Sequence, residues 1–397
     1  MNLNKSMNTS HILFHLVYQM VGGIVYGYGI YILIERGYTS AEAGVCFAIV
    51  NIISALLTPF ISNYLDNNDK YSIFDVIAIL SLIYFVLIIV NYFLLKKCFI
   101  LTLVFIIGSS CGAIADPMVN SISSKLRNYG IDVPYSPARA IGSASYGITC
   151  IIFGYTTQIF SYHSVIIGGA IFSFILLIVS VVARNQLNKS QVDKLKEKNE
   201  INDQISFKEF CTNNVDFIVI IFFMSLIYIG FATADNFMIL ICEDVGGNSK
   251  DMGIILGFKA FIEVIPMLSF PFLLKRIKLE KLLYMSAFFY FVKAAIIYLA
   301  PNVFMLYIAQ FFQGLSYAVM TPAMVEFINR NLKSREVVRG ISFCSLAQLM
   351  GFTISSFIFG YIADVFSVKT MNLCAMMITL VGVIGYCITM AYKSKKI

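Results

Sequence analysis

The stretch GIILGFKAFIEVIPMLSFPFLLK, residues 253–275, is apolar for long enough to cross a bilayer, yet it holds Lys259 and Glu263. On a helix these two residues lie four apart and share one face. A charge in hydrocarbon costs roughly 3 kcal/mol or more, and it faces a protein interior or a wet cavity. The stripe carrying both charges is therefore the side of this helix turned away from lipid.

Composition agrees with a membrane setting. Of the 397 residues, 59% are hydrophobic and only 13% are charged, against about 25% charged in an ordinary soluble domain. Mean hydropathy is +0.81. Tryptophan is absent, so anchoring at the membrane surface falls to the 23 tyrosines and to Lys and Arg. The nine cysteines are scattered singly, without CxxC or Cys/His spacing, so neither disulfides nor a metal site is expected. The first ten residues are polar and the apolar run from His11 exceeds a signal-peptide core, so the first helix is expected to stay in the mature chain.

A spanning helix needs about 20 apolar residues. Twelve segments qualify: 11–34, 41–65, 73–95, 99–125, 138–160, 163–184, 214–242, 250–275, 280–300, 302–329, 337–362 and 369–392. The predicted fold class is thus an all-α membrane protein with twelve transmembrane helices in two six-helix bundles, residues 1–184 and 214–397. A Lys/Glu/Asn/Gln-rich linker, residues 185–213, separates them. With an even number of helices, both termini lie on one side. That side collects 21 Lys and Arg residues, the opposite side five, and three (Arg139, Lys259, Lys293) fall within helices or at their edges. The positive-inside bias makes the termini and linker cytoplasmic. The net charge of +7 is accounted for by this topology, without a nucleic-acid partner.

The halves repeat each other. Gly37, Ser40, Glu42 and Gly44 open the second segment, and Gly246, Ser249, Asp251 and Gly253 open the eighth, at an offset of 209. Ser at a helix start with an acid in the first turn suits an N-terminus. Pro117-Met-Val returns as Pro322-Ala-Met-Val, and Phe153-Gly-Tyr as Phe359-Gly-Tyr. Both halves start on the same side, so the repeat is parallel. Transporters built this way bind solute near the bilayer midplane.

The charges within spans are Asp116, Asp235, Lys259, Glu263 and Lys293, with Arg139 at the start of the fifth. At about 1.5 Å per residue, Glu263 falls near mid-membrane and Asp235, Lys259 and Lys293 in the outer half. This permits a network of two acids and two lysines; the plain alternative is a balanced pair that only fixes packing. A proton-coupled carrier needs a buried carboxyl that responds to an approaching cation. Glu263, then Asp235, then Asp116 are the candidates. Tyr146 follows the small-residue run at 142–145, where another helix can approach closely. It offers an aromatic face and a hydroxyl to a ligand, beside Arg139. Gln310, Gln313 and Ser316 share a stripe, and Gln348 lies in the eleventh segment. His15 and His163 read as structural. HExxH and Walker A sequences are absent, and no enzymatic activity, cofactor or direct use of ATP is expected.

The six-plus-six arrangement, the charged linker and the 2–3 connection Asn63-Tyr-Leu-Asp66-Asn-Asn-Asp69-Lys70 resemble the major facilitator superfamily, although its motif's glycine and arginines are missing here. Within it, the chain is most similar to the lactose permease-like group of sugar and nucleoside proton symporters. The segment Pro137-Ala-Arg139-Ala-Ile-Gly142-Ser-Ala-Ser-Tyr146 resembles one in which an arginine binds sugar hydroxyls and an aromatic stacks on the ring. Phe261-Ile-Glu263-Val resembles the segment whose Glu contacts sugar. Asp235 resembles an acid paired with a lysine, and Lys293 takes the place of an arginine. A sugar-binding Glu is Asn120 here, the Lys, His and Glu of the tenth helix are Gln310, Gln313 and Ser316, and an eleventh-helix Lys is Ala347. The resemblance implies solute binding by Arg139, Tyr146, Glu263, Asn120, Gln313 and Gln348. It implies coupling through Glu263, Asp235, Lys259, Lys293 and Asp116, with a proton as the expected ion. Expected throughout is a monomeric secondary transporter of a small polar solute in a bacterial inner membrane. Export of amphiphilic compounds, or a non-transporting sensor with the same fold, are the competing readings.

Overall fold

The structure, a computed structural model, describes residues 3–67, 71–127, 129–189 and 207–396. The end of the 2–3 connection (68–70) and the middle of the linker (190–206) lie outside the described residues. All secondary structure within them is helical. By packing, the chain divides into two units: Met1–Thr39 with Val45–Lys198, and Ser40–Gly44 with Asn199–Ile397.

The first unit contains α1 (Leu3–Gly22), a π-helical turn (Gly23–Gly27), α2 (Gly29–Ile34), most of α3 (Ser40–Asn67), α4 (Ile73–Phe93), α5 (Phe99–Arg127), α6 (Tyr135–Phe160) and α7 (His163–Lys189). The second contains α8 (Phe207–Asn213), α9 (Val215–Asn236), α10 (Met238–Asp244), α11 (Ser249–Arg276), α12 (Leu279–Leu299), α13 (Val303–Leu315), α14 (Tyr317–Asn331), α15 (Ser334–Val365) and α16 (Val368–Lys396).

Among the described residues, ten helices are long and apolar enough to cross a membrane. Two of the expected spans are not among them. Segment 11–34 is interrupted by the π-turn GIVYG, whose glycines leave the helix free to bulge. Segment 138–160 forms α6, where Ser, Thr, Gly and Tyr dilute the apolar residues. Two further spans break where unbroken helices were expected: 214–242 at Phe237, between α9 and α10, and 302–329 at Ser316, between α13 and α14. Pro322 lies in the second turn of α14 and cannot donate to the helical ladder, which gives the chain reason to bend there.

The internal repeat extends beyond its motif. α3 and α11 both start at the serines 209 residues apart, and both are 28 residues long. Gly37 and Gly246 precede them with φ of 88° and 80°, a left-handed conformation that glycine adopts without steric cost. The breaks match too. Tyr28 and Phe237, again 209 apart, mark the ends of helical segments in the first and seventh expected spans, with φ of −116° and −106°. Neighbour relations correspond: α1 packs on α6 and α7 and α4 on α7, as α9 packs on α15 and α16 and α12 on α16.

The start of α3 belongs to the second unit. The Asp364 carboxylate accepts the backbone N–H groups of Ser40 and Ala41 at 2.9 and 2.7 Å, an acid on the positive end of a helix. Asn248 and Asp251 cap α11 reciprocally. Large side chains such as Phe60, Phe93, Phe99 and Ile159 stand more than two-thirds exposed, as lipid-facing residues do. In a bilayer, close packing and polar contacts, more than hydrophobic burial, hold helices together.

Candidate functional site

In the second unit, four helices bring the charged residues together. Asp235 stands two residues before the break at Phe237. Lys259 and Glu263 lie one turn apart on α11, and Lys293 lies on α12. The Lys259 ammonium donates to Asp235 Oδ2, and both side chains are nearly buried. Lys293 and Glu263 do not touch directly: Gln313, from α13, joins them. Lys293 Nζ donates to Gln313 Oε1 at 2.6 Å, and Gln313 Nε2 donates to Glu263 Oε1 at 2.6 Å. Only this orientation of the amide serves both partners, because an ammonium only donates and a carboxylate only accepts.

Phe231 lies beneath both lysines, with ammonium-to-centroid distances of 5.4 Å for Lys259 and 5.1 Å for Lys293. Its ring attracts both cations. Tyr317 stacks on Phe231 at 5.3 Å, and Tyr290 and Phe352 meet its edges. The two lysines and two acids balance in formal charge. Three polar groups here retain unused capacity: Asp235 Oδ1, the Gln310 amide and the Tyr290 hydroxyl have no hydrogen-bond partner among the described residues.

The first unit holds a different cluster. Arg139, on the first turns of α6, donates to Ser143 Oγ at 3.0 Å. It lies within electrostatic reach of Asp116 on α5, which also neighbours Tyr18 and Asn120. Tyr135 donates its hydroxyl hydrogen to Asn120 Oδ1 at 3.1 Å. Tyr18 donates to the Gly112 carbonyl at 3.1 Å, in the turn before Pro117. α1 and α6 touch closely along the small-residue run. Ser145 Oγ donates to the Leu16 carbonyl at 2.8 Å, and a Cβ on Gly142 would stand 3.0 Å from the His15 carbonyl.

The expected residues thus divide between two places. Asp235, Lys259, Glu263, Lys293 and Gln313 form one network; Arg139, Asp116 and Asn120 form another cluster. Tyr146 is half-buried on α6 and Gln348 half-buried on α15. Sequence reasoning missed Phe231, Tyr317, Tyr18 and Tyr135. No signal distinguishes them among 58 tyrosines and phenylalanines, apart from the place of Tyr135 beside Pro137. Gln313 was read as a solute ligand; its bridging position depends on three helices and has no local signature.

The model of the MFS_1 like family matches residues 8–349. The chain belongs to that family. It is therefore a multi-pass membrane transporter of the major facilitator superfamily. A relative in Bacillus subtilis (strain 168), the uncharacterized transporter YwbF, is 24% identical over 253 residues, which is 62% of this chain and 60% of YwbF. The nucleoside transporter NupG superposes with a TM-score of 0.80 at 16% identity, covering 98% of this chain and 99% of NupG. A bacterial homologue of the lysosomal transporter Spinster, in an inward-facing and unoccupied conformation, gives 0.72 at 11% identity, covering 98% and 97%. At such identities the superpositions establish the shared fold of this MFS_1-like chain.

Proposed function

We propose that this MFS_1-like protein is a twelve-span secondary active transporter of a small polar solute, sugar- or nucleoside-like. It works by alternating access, as residues 1–184 rock against 214–397, and couples to protons. The termini and linker are cytoplasmic, the membrane is a bacterial inner membrane, and the protein acts as a monomer. The observation carrying this reading is the chain Lys293–Gln313–Glu263 beside the Lys259–Asp235 pair. Four formal charges in hydrocarbon are costly to retain for packing alone, since apolar residues of similar volume serve a core at least as well. Protonating Glu263 leaves both lysines with one counter-charge, Asp235, so proton arrival unbalances the network. Arg139, Tyr146 and Asn120 bind the solute, together with Glu263, Gln313 and Gln348. A guanidinium and an amide suit hydroxyls and carbonyls, and an aromatic ring suits a sugar or base face.

The test is uptake of labelled sugars and nucleosides into proteoliposomes. Saturable uptake that collapses with an uncoupler is expected. Uptake indifferent to both uncoupler and sodium removal rejects the coupling. Arg139→Ala should weaken half-saturation by roughly tenfold or more, about the worth of one charge-assisted hydrogen bond.

A second reading draws on the aromatic cluster of Phe231, Tyr290, Tyr317 and Phe352, which would suit an exported amphiphile. Resistance to amphiphilic drugs on expression, without sugar or nucleoside uptake, would favour it.

A further inference from the structure

Two of the chain's three histidines, His11 and His15, lie one turn apart on α1. Both side chains are fully buried, at 0% exposure. None of their four ring nitrogens has a hydrogen-bond partner among the described residues. The ring centroids stand 4.9 Å apart with planes at 83°. Three residues before His11, on the same stripe, Asn8 Oδ1 is equally buried and equally unpartnered. Each buried polar atom left unbonded carries the penalty of its lost hydration. Five on one stripe therefore favour a ligand that satisfies several at once.

We propose that His11 and His15 form a binding site for a divalent transition-metal ion of the imidazole-preferring class, such as Zn²⁺, Co²⁺ or Ni²⁺. Histidines at i and i+4 on one helix face can reach a single ion. With a metal–nitrogen bond of about 2.1 Å, each ring centroid lies about 3.2 Å from the ion, so two tetrahedrally arranged imidazoles stand about 5 Å apart. The observed 4.9 Å matches that separation. Asn8 Oδ1 is a weaker third donor on the same stripe, and a further position is left for water. Among the described residues no group of three His, Cys, Asp or Glu surrounds an ion, so this is a two-imidazole clip, unlike a cysteine-rich zinc knot. The expectation of no metal site rested on cysteine spacing and did not consider such a pair.

Arg139 lies within electrostatic reach of His15, and its charge opposes a cation. It also lies within electrostatic reach of Asp116 and bonds Ser143, so it has partners of its own beside the imidazoles. The Tyr135 ring lies edge-on to His15 at 5.5 Å and is 39% exposed. The site does not depend on the transport reading.

The test uses purified, tag-free, chelator-treated full chain titrated with Co²⁺, followed by visible absorption and by competition with Zn²⁺. One ion per chain is expected, with tetrahedral Co²⁺ bands. His11→Ala and His15→Ala should each weaken binding by roughly tenfold or more, since even second-shell losses at metal sites cost that much. His163→Ala should leave it unchanged. Should the two variants not fold, X-ray absorption of the Zn²⁺-loaded wild type decides: two imidazoles in the coordination shell support the site, and one or none overturns it. Absence of binding in the wild type, or binding unaltered in a folded His11→Ala/His15→Ala double variant, also overturns it.

Discussion

In the second unit, two lysines and two acids from three helices reach one another directly or through Gln313, and each makes a hydrogen bond within the protein. In the first unit, Arg139 and Asp116 face each other beside two imidazoles whose nitrogens bond to no described residue. The same helical plan therefore carries a charge-paired network in one copy and, in the other, a cluster with four imidazole nitrogens unpartnered among the described residues. A satisfied network rigidifies its surroundings and responds to a change of charge. An unfinished one is completed by something bound.

The largest expected effect tests whether the second network is self-sufficient. Asp235→Ala leaves the Lys259 ammonium without its ion-pair partner and should destabilise the protein by about 3–5 kcal/mol, the usual cost of stranding a buried charge. Combining Asp235→Leu with Lys259→Met should recover most of that loss while abolishing coupled transport. Thermal unfolding in detergent measures both. Equal stability of Asp235→Ala and wild type would place the pair in water and dissolve the contrast with the first unit.

A smaller effect is expected where an amide serves as the bridge. Gln313→Leu removes the hydrogen bonds to Lys293 and Glu263 and should cost about 2–3 kcal/mol, since bonds to charged groups exceed neutral ones. Gln313→Glu should lose less stability but shift the pH dependence of uptake, because it adds a titrating group between the two ions. A pH profile identical to wild type would show that Gln313 takes no part in coupling.

The smallest effect sharpens the comparison on the first unit's side. Ser145→Ala deletes a buried bond to the Leu16 carbonyl and should cost about 1 kcal/mol. It leaves Arg139 and both histidines in place, so solute affinity should hold within about twofold. A large loss of affinity with little loss of stability would mean that the α1–α6 seam itself contacts the solute.

The sequence by itself determined the membrane setting, the position of most spans, the duplication at an offset of 209 and which side chains carry charge within the bilayer. These follow from properties that run along the chain: apolar runs as long as a bilayer is thick, and small motifs that recur in order. It also identified Lys259 and Glu263 as sharing a face, because helical periodicity is local. Only the tertiary structure decided that Gln313 stands between Lys293 and Glu263, that Phe231 underlies both lysines, and that four imidazole nitrogens go unpaired. Each of these depends on which helices become neighbours and how far each is rotated. The same holds for the interruptions at Tyr28 and Phe237, which lie 209 residues apart although the sequences around them differ.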